Sequence, residues 1–76
     1  MGQTTYAEEF TQAFAYNGSN LVEYQGWARP GTAKTAARWK ICKLTYSGNF
    51  VTDIQWADGT ASFTKVWNDR ATYSYS

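Results

Sequence analysis

The sequence predicts a mainly β protein: a compact antiparallel meander or small open barrel of four to five strands, with a short N-terminal helix. Three observations carry this expectation. Ala37 to Trp67 holds β-prone apolar runs broken at Ser47-Gly48-Asn49 and at Asp58-Gly59. Asp-Gly between such runs is a hairpin signal, because a two-residue type I′ turn needs positive φ at both central residues. Arg29-Pro30-Gly31 closes an earlier alternating run, since Pro cannot donate to a strand ladder and Pro-Gly favours a type II turn. The third observation is aromatic mass: 4 Trp, 6 Tyr and 4 Phe in 76 residues.

That length allows a single small domain over residues 1–76. It divides into an N-terminal arm or helix, 1–18, and a β core, 19–76. A chain this short buries only about 60% of its unfolded surface, so its own core leaves it marginal. With one Cys and no His, an internal disulfide is excluded and a structural zinc site disfavoured. The rings are the remaining source of burial, and neighbouring subunits the natural source of more. A homo-oligomer or a piece of a larger assembly is expected.

In chain order, Thr5 to Tyr16 fits two templates. Thr5-x-x-Glu8 matches a capping box, Tyr6, Phe10 and Phe14 recur at i, i+4, i+8, and Asn17-Gly18 supplies a stop. A strand is the rival, because Tyr6, Phe10, Phe14 and Tyr16 share parity, with Glu8 and Gln12 interrupting that side. The helix template is preferred. Leu21 to Ala28 alternates as a strand, with Val22, Tyr24, Gly26 and Ala28 on one side and Leu21, Glu23, Gln25 and Trp27 on the other. Thr32 to Ala36 reads as a surface loop. Arg38 to Tyr46 is a strand whose apolar side changes: Trp39 and Ile41 face one way, Cys42, Leu44 and Tyr46 the other. Either both sheet faces are covered there or a bulge sits near Ile41-Cys42. Phe50, Thr52, Ile54 and Trp56 alternate as one buried face. Ala61 and Phe63 begin a return strand, Phe63, Val66 and Trp67 suit a helical turn or corner, and Ala71 to Tyr75 reads as a terminal strand.

Catalysis is not expected. Without His, the usual general base and the Ser-His and Cys-His arrangements are missing. Asp58 is explained as a turn residue and Asp53 as a solvent-facing strand position, and no carboxylate pair has a catalytic spacing. Cys42 reads as a small buried hydrophobe; the competing reading is a thiol activated by Lys40 or Lys43. Residues Gly26 to Thr35 lack phosphate-loop spacing. Trp39, Trp56 and Trp67 read as core. Trp27, among Glu23, Gln25 and Arg29, is the best exposed ring, for stacking on a ligand or for a subunit contact.

Net charge is +1, and the basic residues are spread from Arg29 to Arg70, so no nucleic-acid partner is expected. No apolar run is long enough to span a bilayer as a helix, and no membrane partner or cofactor is expected. The first residues lack the basic and apolar regions of a secretory signal.

The order of residues from Tyr24 to Tyr75 resembles a family of small proteins encoded by tailed bacteriophages. The resemblance rests on Tyr24-x-Gly26, Ala28-x-Pro30-Gly31-Thr32 and Ala36-Ala37-x-Trp39-x-Ile41. It continues through Lys43, Tyr46, Trp56-Ala57-Asp58-Gly59 and Phe63-x-x-Val66-Trp67-x-Asp69-Arg70-Ala71-x-Tyr73. Asn68 stands where an acidic residue is the family's habit, and the Ser47-Gly48-Asn49 turn is tighter. The resemblance implies a virion structural subunit, made in the host cytoplasm and acting in capsid decoration, tail or fibre. It would bind itself and other virion proteins, and it brings no catalytic residues. The residues expected at such contacts are Tyr6, Phe10, Phe14, Trp27, Arg29, Tyr73 and Tyr75. The alternative is a small β module that binds a peptide or a host-surface glycan.

Overall fold

The computed structural model describes residues 9–76. Five strands follow one another: β1 (Thr11–Tyr16), β2 (Val22–Ala28), β3 (Ala37–Ser47), β4 (Phe50–Trp56) and β5 (Lys65–Val66). A 3-10 helix, Trp67–Thr72, comes after β5. The sheet is an antiparallel meander in the order β1-β2-β3-β4, and β5 pairs with the start of β3. It is open, with β1 and β4 at the ends of the path.

The turns follow from their residues. Gly31 has φ 87° and the Thr32 amide donates to the Arg29 carbonyl at 3.1 Å, as a type II turn at Pro30-Gly31 requires. Gly48, at φ 62°, opens the two-residue loop that pairs Ser47 with Phe50. Asp58 and Gly59 both have positive φ, 54° and 71°. That turn does not lead into a return strand at Ala61, however. The chain stays irregular until the two residues of β5.

The N-terminal helix is corrected over the described residues: Thr11–Tyr16 is a strand. Its pairing with β2 runs from Thr11↔Ala28 to Tyr16↔Val22. A helix of so few residues is marginal in water, whereas the strand gains a full ladder. The 4-residue spacing of Phe10 and Phe14 suits both periods, so it could not decide. Gln12, read as an interruption, accepts a bond from the Gln25 amide at 2.9 Å. Asn17-Gly18 makes a hairpin instead of a helix stop. The Asn17 carboxamide oxygen accepts from the amides of Ser19 and Leu21, and Asn20 takes φ 66°. β1 also brings Ala13 into the core, so the β core starts ahead of residue 19. Thr5, Tyr6 and Glu8 lie outside the described residues.

One face of the sheet is closed by the chain's own C-terminal segment. Ala13, Ala28, Trp39, Ile41, Ala57 and Trp67 form the buried cluster, with Ala15, Tyr24, Tyr73 and Tyr75 packed against it. Trp39 and Trp67 meet at 5.9 Å between ring centres, and the Arg70 guanidinium covers Trp67 at 4.8 Å. Instead of a terminal strand from Ala71, the 3-10 helix runs to Thr72. The last residues then bond along Trp56 to Asp58, through Asp58 N to Ser74 O (2.6 Å) and a reciprocal Trp56–Ser76 pair (2.9 and 3.1 Å). Ile41 and Cys42 point to opposite faces and are 0% and 2% exposed, so both faces are covered there. The register shifts lie elsewhere, at Ala15/Tyr16, Thr45/Tyr46 and Ala37/Trp39.

Candidate functional site

The second face of the sheet is open. Strand alternation and register place Phe14, Trp27, Lys40, Cys42, Leu44, Ile54 and Trp56 on it, through the pairs Phe14↔Gln25, Trp27↔Lys40, Cys42↔Trp56 and Leu44↔Ile54. Phe10 continues the parity of Phe14. Phe63, from the irregular segment before β5, stacks on Phe10 at 5.3 Å. Trp27 and Trp56 meet at 6.0 Å.

Lys40 sits among these rings. Its Nζ lies 5.0 Å from the ring centre of Trp27, 5.7 Å from Trp56 and 5.1 Å from Phe63. A cation over a ring face is held by the ring quadrupole, at roughly 0.5–1 kcal/mol where water has access. The ammonium thus lies against three rings from three segments of the chain. Cys42 lies beneath. Burial pushes its thiol up from the ordinary value, against the smaller opposing effects of a Gln25 backbone bond and the Lys40 charge. It is a buried thiol and not an activated one.

Away from this centre the face is more exposed. Phe14 is 46% exposed and Ile54 56%. The expectation that β4 has one buried face is therefore corrected. Ile54 lies on the uncovered side, while the register shift at Thr45/Tyr46 interrupts the alternation and sets the exposed Phe50 opposite Ser47, on the other side. At the other end of the face a groove of about 400 Å³ is lined by Phe10, Arg29, Thr32, Arg38 and Phe63.

The expected contact residues divide into two groups. Phe10, Phe14 and Trp27 share the open face, and Arg29 borders its groove. Tyr73 and Tyr75 are on the opposite side, half-buried against the core. The Tyr73 hydroxyl accepts from the Val66 amide at 2.8 Å, and the Tyr75 hydroxyl donates to the Arg70 carbonyl at 2.7 Å. The hydroxyls of both tyrosines are thus engaged within the chain. Tyr6 is outside the described residues. Trp39 and Trp67 are core, but Trp56 is half-buried on the open face. Lys40, Ile54, Trp56 and Phe63 join the site from positions that sequence reasoning assigned elsewhere or passed over. The β2–β3 register that sets Lys40 opposite Trp27 would have found the first of them.

Among the described residues no group of three His, Cys, Asp or Glu is placed to hold a metal ion. No helix there is long and apolar enough to cross a membrane. In comparisons with protein-family models, curated proteins and solved structures, the chain matches none.

Proposed function

We propose that the chain is a structural subunit of a bacteriophage particle, which works by burying the open aromatic face of its sheet against neighbouring copies and other virion proteins. The observation that supports this most is the inequality of the two faces. One is closed by the chain's own C-terminal segment, while the other leaves Phe14 and Ile54 about half exposed beside Trp27 and Trp56. Contiguous apolar surface of this kind marks an interaction site. Aromatic anchors ringed by polar residues are the usual make-up of the centre of an interface. The sequence resemblance to small tailed-phage proteins supplies the setting, and the near-neutral charge keeps electrostatic self-repulsion small.

In this reading the chain performs no catalytic step. Its work is packing, with Lys40 set against the central rings. Mass spectrometry of purified particles tests the setting. The protein is expected among the virion proteins in regular stoichiometry, and its absence from particles would overturn the reading. The second reading, a peptide- or glycan-binding module, is favoured by the groove beside the stacked rings of Phe10 and Phe63. Added ligand would then shift the tryptophan emission, and self-association without any such response would leave the assembly reading in place.

A further inference from the structure

We propose that the groove beside Phe10 and Phe63 is a binding site for an organic anion, a carboxylate carried on a flat apolar body. This goes beyond the assembly reading and does not depend on it. Of the groove's lining residues two are arginines, Arg29 and Arg38, and none is acidic. Arg29, just past the end of β2, and Arg38, in β3, each stand two positions beyond the Trp27↔Lys40 pair, so two arginines line one hollow. Like charges set side by side raise the free energy. Among the described residues the ion pair joins Lys65 to Asp58, and neither arginine is paired with a carboxylate there. An anion between them removes the repulsion and accepts charge-assisted, bidentate hydrogen bonds that planar guanidinium groups are shaped to give.

The volume sets the rest of the ligand. About 400 Å³ is far more than a bare carboxylate needs, given that a water occupies roughly 30 Å³ in the liquid. The remaining walls are the phenyl rings of Phe10 and Phe63, so the body that fills the space is apolar and flat. The third side is fixed in advance. Thr32 donates its amide (3.1 Å) and its hydroxyl (2.7 Å) to the Arg29 carbonyl, and the Trp39 indole donates to the Ala33 carbonyl at 3.0 Å. With its hydrogen engaged, the Thr32 oxygen is left as an acceptor, and the arginines are the groove's charged donors. An acidic or C-terminal peptide carboxylate next to an aromatic residue has this chemistry.

The test is an NMR titration of the full chain with phenylacetate, neutral phenylacetamide, glucuronate and inorganic phosphate. Phenylacetate is expected to shift the amides of Arg29, Thr32, Arg38 and Phe63. It should bind at least about tenfold more tightly than the other three, the scale of one charge-assisted hydrogen-bond set. The double variant Arg29→Gln/Arg38→Gln should lose at least about tenfold in affinity with a melting temperature no lower than the parent's, since both side chains are exposed and their repulsion is removed. Arg38→Lys, which keeps the charge but not the fork, should lose part of it. Equal binding of phosphate or glucuronate overturns the apolar body, equal binding of phenylacetamide overturns the anion, and an unaffected double variant overturns the site.

Discussion

The indole of Trp67 rests directly on the backbone of Gly26. A Cβ at Gly26 would lie 2.7 Å from Trp67 Cε3 and 3.1 Å from Trp39 Cε3. The two rings that close the core can therefore meet only because β2 has no side chain at this point. Gly26 and Trp67 are far apart in sequence, and their contact fastens the C-terminal segment to the sheet.

Gly26→Ala should accordingly destabilise the protein by about 1–3 kcal/mol, the cost of overpacking a filled core. Gly18, where a Cβ would meet nothing within 4 Å, is the control. Gly18→Ala should be within about 1 kcal/mol of the parent, on the stabilising side if its backbone suits alanine. Urea unfolding of the two variants decides this. Equal midpoints would mean that Trp67 is not seated on Gly26.

Tyr75 should make stability fall in alkali. Burial, helped by the neighbouring phenols Tyr24 and Tyr73, raises its pKa well above the ordinary value of 10.0, and Arg70 only partly opposes this. The folded state therefore holds the phenol proton where the unfolded state releases it. The stability so gained is complete below pH 10 and is lost as pH rises from there toward the folded value. Tyr75→Phe should lose about 1 kcal/mol at neutral pH, with its bond to the Arg70 carbonyl, and should show a shallower loss above pH 10. Parallel pH profiles of the two proteins would count against the assignment.

Cys42 should react with thiol reagents only through opening of the fold. It is buried between β2 and β4, and burial raises its pKa. Labelling in native buffer should keep pace with global unfolding measured by hydrogen exchange. Fast labelling of the folded protein would revive the activated thiol.

Much of the fold could be read from the chain. The turns at Pro30-Gly31 and Asp58-Gly59 occur where the residue types demand them, and from Tyr24 to Ala28 the sides of β2 are as its alternation indicates, with the register shift at Ala15/Tyr16 breaking it at Val22. Two kinds of information were not there. Phe10 and Phe14 satisfy helical and strand periods alike, and only the ladder with β2 selects the strand. Alternation from Asp53 to Trp56 in β4 distinguishes its two sides but does not say which one the chain will cover. The C-terminal segment covers the side of Ala13 and Ile41, and so leaves Ile54 in the open. Arg38 has no assigned role in the sequence, and Lys40 figures there only as a neighbour of the Cys42 thiol. Their place beside rings and a second arginine depends on cross-strand register and on Phe63 folding back, which no local pattern states.

The claim that the open face is there to be covered is tested most directly by sedimentation of the parent and of Ile54→Lys across a range of concentrations. Ile54 is 56% exposed, so the lysine should leave stability within about 0.5 kcal/mol. The account predicts that the parent self-associates as concentration rises and that Ile54→Lys stays monomeric with the same melting temperature. A parent that remains a monomer throughout, or a variant that assembles just as well, would contradict it.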